Sequence, residues 1–139
     1  MTFMPSSIYH ADLVNKLRCN KGVLIAGYSF GDLYVNQLLQ RRQLMKGDRH
    51  RMVIIEKFPD YLNSAVEVYR YLSDYRPNLM TFLKPFVDFR FDDHFQLQGI
   101  EFTSYYEPIY SEDHRCMFFI CGFKGAVENH QELIWRFLL

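Results

Sequence analysis

Two short apolar runs, Val23-Leu24-Ile25-Ala26 and Met52-Val53-Ile54-Ile55, constrain this chain more than any other feature. Each is too short for a buried helix and apolar at consecutive positions, which is the pattern of a strand covered on both faces of a parallel sheet. Between them Val35, Leu38, Leu39 and Leu44 or Met45 recur at helical spacing. Parallel strands need such a crossover, so the stretch reads as a right-handed βαβ unit. Asp32 is placed to cap the helix and Gly47-Asp48 to end it.

The flanking segments add layers to this unit. Ser6 or Ser7 can cap a helix over about Ile8 to Cys19, which Asn20-Lys21-Gly22 breaks. After Phe58-Pro59, Asp60 can cap a further helix using Leu62, Val66, Tyr69 and Leu72, closed by Arg76-Pro77-Asn78. Val87 to Phe91, Ile100 to Tyr106 and Cys116 to Phe123 read as strands. Gly122-Phe123-Lys124-Gly125 then turns the chain into a last helix carrying Val127, Leu133, Ile134, Phe137 and Leu138. The expectation is one α/β domain over 1–139: a three-layer, Rossmann-like fragment with a parallel βαβ core and a less regular, β-rich carboxyl-terminal part.

Composition narrows the class of function. With 49% apolar residues among 139, the chain has enough to bury a single core, and its 13 Phe and 10 Tyr argue against disorder. Lys plus Arg equals Asp plus Glu at 16 each, so no net field draws it onto nucleic acid or anionic lipid. The basic run Arg41-Arg42, with Lys46, Arg49, His50 and Arg51 after it, reads as a solvated helix end. Cys19, Cys116 and Cys121 form an odd set without a C-x-x-C pair, and Cys116 and Cys121 point to opposite faces of an apparent strand. Free thiols suit a reducing cytoplasm. No apolar stretch has the length of a membrane span, and Met1 to Ser7 lacks the regions of a signal peptide.

The turn after the first strand carries the chemistry. Gly27-Tyr28-Ser29-Phe30-Gly31 fits the G-x-S-x-G elbow of serine hydrolases. That reading has candidate acids in Asp88, Asp92 or Asp93 and candidate bases in His114 or His130. It lacks an earlier strand to supply an oxyanion loop, and Asp32 would oppose a developing oxyanion.

Taken whole, Leu24 to Asp32 followed by Leu33-Tyr34-Val35-Asn36 and a leucine pair resembles the later Rossmann half of the SIR2-like, sirtuin-related family found in bacterial defence proteins. There a G-[YF]-S-[FL]-x-D segment follows a hydrophobic strand. The resemblance implies that Gly27 and Ser29, with Tyr28 beside them, lie against the ribose and phosphate portion of NAD or ADP-ribose. Gly27 allows close backbone approach, and the Ser29 hydroxyl can donate to an oxygen. Glu56, at the end of the second strand, stands where doubly wound sheets bind adenosine ribose hydroxyls, although sirtuin-type proteins usually have Asn there. Otherwise it is a surface glutamate paired with Lys57 or Arg51.

The early Gly-Ala-Gly-x-Ser segment of that family, and the asparagine and histidine that act on the nicotinamide ribose, have no counterpart before residue 20. The resemblance therefore implies a nucleotide-binding portion that carries no catalytic residue and is inactive by itself. Its partner would be the missing amino-terminal half or another copy of the chain. A third reading is a non-catalytic interaction module that kept the fold; Trp135, Phe137, Leu138 and Leu139 offer it a docking edge. Asp92-Asp93-His94 and Glu112-Asp113-His114 read as solvated turns rather than metal sites, and His10, His50 and His130 as isolated histidines.

Overall fold

A computed structural model gives the fold, and it describes residues 22–44 and 50–139. The expected helix over Ile8 to Cys19, and Met45 with Gly47-Asp48, lie outside the described residues.

The βαβ unit forms as its apolar runs require. Strand β1 (Gly22–Ala26) leads through helix α1 (Leu33–Leu44) to strand β2 (Arg51–Ile55), and the two strands pair in parallel from Gly22 opposite Arg51 to Ala26 opposite Ile55. Strand β5 (Cys116–Phe119) pairs in parallel with the other edge of β2, so the fully apolar Met52 to Ile55 lies between two neighbours. Strands β3 (Ile100–Glu101) and β4 (Ile109–Ser111) complete a mixed five-stranded sheet in the order β1-β2-β5-β4-β3, with β3 and β4 antiparallel.

Helices cover both faces. Helix α4 (Gly122–Leu138) packs on β1 and β2, facing Leu24 and Ile55. By the alternation of strand side chains Ile25 and Ile54 point the other way, to the face where a right-handed crossover places α1. Beside α1 stand α2 (Ala65–Tyr75) and α3 (Pro77–Leu83); the Gln40 amide donates to the Phe82 carbonyl at 3.0 Å. This is the three-layer α/β arrangement expected, with the antiparallel strands forming the less regular part.

Several boundaries differ from expectation for local reasons. Ser64, not Asp60, caps α2: its hydroxyl accepts from the Glu67 amide at 3.2 Å, while the Glu67 carboxylate accepts from the Asn63 amide at 2.6 Å. Arg76 ends α2, but Pro77 then occupies the first turn of α3, where its missing N–H costs nothing. Val87 to Phe91 is not a strand; only Phe91 makes a bridge, to Leu97, across a hairpin loop. Ile100 to Tyr106 shortens to two residues because Ser104 to Glu107 turns, and Cys116 to Phe123 stops at Phe119 because Gly122 begins α4.

The basic helix end also departs from expectation, because Arg42 and Gln43 are buried rather than solvated. The Arg115 guanidinium donates to the carbonyls of Gln43 and His50, and the Gln43 amide donates to the Arg115 carbonyl. Those bonds fasten the end of α1 to the start of β5. Burial, with Arg115 nearby, lowers the Arg42 pKa to about 10.

Gly99 (φ +85) backs directly onto the Asp88 backbone, where a Cβ would collide with the carbonyl oxygen. Gly99→Ala should therefore cost more than about 1 kcal/mol from clash and left-handed strain together. Urea unfolding checks this, and an unchanged midpoint would show that the contact is not tight.

Candidate functional site

The carboxyl edge of the parallel strands gathers three chain segments: the turn after β1, Glu56-Lys57 after β2, and the start of α4 after β5. The turn is rigidly built. Gly27 adopts φ +67, and no other described residue comes within 4 Å of where its Cβ would be. Ser29 is exposed beside it. Phe30 holds φ +60, an unusual backbone for a bulky residue, and its ring is buried between Tyr28 and Phe82 at 4.6 and 4.8 Å.

Asn36 keeps this turn in place. Its amide donates to the Phe30 carbonyl at 2.8 Å, and its carbonyl oxygen accepts from the Tyr28 hydroxyl at 2.7 Å. Asp32 caps α1 as expected, accepting from the amides of Tyr34 and Val35 at 3.0 and 3.1 Å. Tyr28 thus shapes the turn through its ring and hydroxyl, and the open surface is left to Gly27 and Ser29. Strain held this way at a strand end is a recurrent property of ligand-binding turns.

One strand over, the register that sets Ala26 opposite Ile55 brings Glu56 level with Gly27. Glu56 is not a surface residue paired with Lys57 or Arg51. Its side chain is 7% exposed and accepts from the Arg76 guanidinium at 2.6 Å. Burial raises the Glu56 pKa, and Arg76, by its charge and its hydrogen bond, pulls it back part of the way. The Glu56 carbonyl accepts from the Gly122 amide at 2.8 Å, which ties β2's end to the first turn of α4. Lys57 projects outward, its ammonium 5.8 Å from the Tyr105 ring centroid.

Sequence reasoning missed Arg76 and the start of α4 as neighbours of this edge. Arg76 reads as a helix stop, and its position next to Glu56 depends on how α2 and α3 fold back. Cys121 stands at the same edge just before α4, and burial raises its thiol pKa, so it is not poised as a thiolate.

The hydrolase partners are not assembled. Among the described residues no histidine hydrogen-bonds Ser29: His114 Nε2 faces Glu101 at 3.1 Å, and His130 Nε2 faces the Tyr106 carbonyl at 2.8 Å. Asp92 accepts from the amides of His94 and Gln96 in a hairpin turn, and Asp113 accepts from the Ser111 hydroxyl and the Arg115 amide. Asp88 pairs with Arg90 at 3.2 Å. Among the described residues no group of three or more His, Cys, Asp or Glu side chains is arranged to hold a metal ion.

Comparison with known proteins finds no matching family model, no matching curated protein and no matching solved structure. Among the described residues no helix is long and apolar enough to cross a membrane.

Removing the cation from the buried pair exposes its energetics. Arg76→Ala leaves the Glu56 carboxylate buried without its partner and should destabilise by about 2 to 4 kcal/mol at pH 7. Its pKa then rises further, so the penalty shrinks as pH falls and the carboxyl takes up its proton. Urea titrations at pH 7 and pH 5, with Glu56→Gln/Arg76→Ala as the double variant, check this. A penalty equal at both pH values would show that the carboxylate is not what the guanidinium compensates.

Proposed function

We propose that this chain is the NAD- or ADP-ribose-binding portion of a SIR2-like, defence-type NAD-processing protein acting in the cytoplasm, and that it is not catalytically complete by itself. The observation that supports this reading is the open Gly27 turn at the carboxyl end of a parallel strand. Its left-handed glycine has open space before it among the described residues, its serine is exposed, and Tyr28, Phe30, Asp32 and Asn36 hold the loop. Ligands of open α/β sheets bind outside the carboxyl ends of the strands.

In this reading Gly27 admits a phosphate or ribose against the backbone, and Ser29 donates to it. Tyr28 fixes the turn. Glu56 with Arg76 lies one strand away, toward the adenosine ribose, and Lys57 with the first turn of α4 adds positive potential to the same edge. NAD would supply the scissile nicotinamide bond. The family's ribose-activating asparagine and histidine have no counterpart before residue 20. An amino-terminal half of a SIR2-like domain, or another copy of this chain, is the partner that would complete the crevice.

Half a crevice encloses less than the roughly 70 to 90% of a ligand that ordinary pockets bury, so affinity should be weak. Ligand-observed NMR with ADP-ribose should detect binding. Gly27→Val and Gly27→Asn should each reduce affinity at least about tenfold. Asn tolerates the left-handed backbone, so it separates a blocked site from a damaged turn. Unchanged affinity in both variants would remove the turn as the site.

The purified chain should release no nicotinamide from NAD above a no-protein control. Turnover that survives removal of contaminating hydrolases would overturn the incomplete-enzyme reading. A fluorophosphonate probe should leave Ser29 unlabelled, whereas stoichiometric labelling there would restore the hydrolase.

A further inference from the structure

We infer that Asp32 reserves the Gly27–Ser29 turn for the hydroxyls of a ribose and keeps phosphate out of it. The inference rests on the nucleotide reading proposed above and names the part of the nucleotide that the turn takes.

A phosphate bound after a parallel strand uses the free amides at the start of the following helix. At α1 those donors are already engaged. The Asp32 carboxylate accepts from the amides of Tyr34 and Val35 at 3.0 and 3.1 Å, and the Asp32 amide donates to the Tyr28 hydroxyl at 3.3 Å. That carboxylate also occupies the positive end of the helix dipole, where a phosphate would otherwise sit. From Gly22 to Gln40 the chain has no lysine or arginine with which the turn itself could grip a phosphate. An incoming phosphate therefore meets a carboxylate and spent amides.

A ribose asks for the opposite. Its vicinal hydroxyls donate as well as accept, and they suit a surface made of hydroxyl and carboxylate oxygens. Ser29 is exposed, and the Gly27 backbone is open among the described residues. Gly27 and Glu56 stand level on neighbouring strands about 4.8 Å apart, a spacing that one ribose ring spans. The Glu56 carboxylate, held by Arg76 through Oε2, adds an acceptor at the far side. The turn and Glu56 thus hold one ribose between them, and the diphosphate lies beyond the turn.

Protein-observed NMR of the full chain tests this with adenosine, inorganic pyrophosphate and ADP-ribose. Adenosine and ADP-ribose should each shift the Gly27 and Ser29 amides, while pyrophosphate at the same concentration leaves both unmoved. Having lost one hydroxyl, 2′-deoxyadenosine should bind at least about fivefold more weakly than adenosine. Asp32→Gly keeps a tolerated helix cap, removes the carboxylate and frees both amides, so pyrophosphate should then shift Gly27 and Ser29 with the circular dichroism spectrum unchanged. Where ADP-ribose shifts the turn, the inference alone is overturned if wild-type Gly27 and Ser29 respond to pyrophosphate or ignore adenosine. Equal affinity for the two nucleosides, or a folded Asp32→Gly that still ignores pyrophosphate, also overturns it. If ADP-ribose, adenosine and pyrophosphate all leave the turn unmoved, the nucleotide reading falls with it.

Discussion

Everything in this fold depends on β2 being paired in parallel along both edges. Met52, Val53 and Ile54 have no exposed surface, and their backbone groups are spent on β1 and β5. The stretch from Met52 to Ile55 carries no polar side chain, so the next chemistry after it appears at the strand's end, in Glu56. The same register fixes where the first glycine turn must stand. The candidate site is therefore a product of the sheet's geometry, with its residues delivered by strand ends rather than by a long loop.

Much of this was legible in the sequence, because strand burial and helix capping leave local marks. The two apolar runs, the cap at Asp32 and the helical spacing after it are set by residues close together in the chain. Ser64 was equally legible, since Ser64 and Glu67 have capping-box spacing; the nearer Pro59-Asp60 pair drew the helix start too early. Pro77 was read as a stop when it begins a helix, and the short β4 left too few residues to show alternation. The Glu56–Arg76 pair left no local mark at all. It unites a strand end with a helix junction, and only the packing of α2 and α3 on the sheet brings them together.

The turn shows why its residues sit at those spacings. Asn36 reaches back to the Phe30 carbonyl and the Tyr28 hydroxyl, so one buried amide holds a strained backbone in place. With Tyr28, Phe30, Asp32 and Asn36 all occupied in this way, Gly27 and Ser29 are left with open surface. The sequence placed Tyr28 beside Gly27 and Ser29 at the ligand, and only the fold shows its hydroxyl turned back onto Asn36 to support the loop.

The contact between Gly22 and Leu138 sets the pace at which such a chain can reach its native state. The first described strand docks on the last turn of the last helix, and β2 must wait for β5 before its second edge is paired. Contacts so distant in sequence impose loop-closure entropy before they return any stabilisation, which slows folding relative to a domain held by local contacts. During synthesis the βαβ unit would emerge with β2 still bare along one edge, a state that associates readily with other chains.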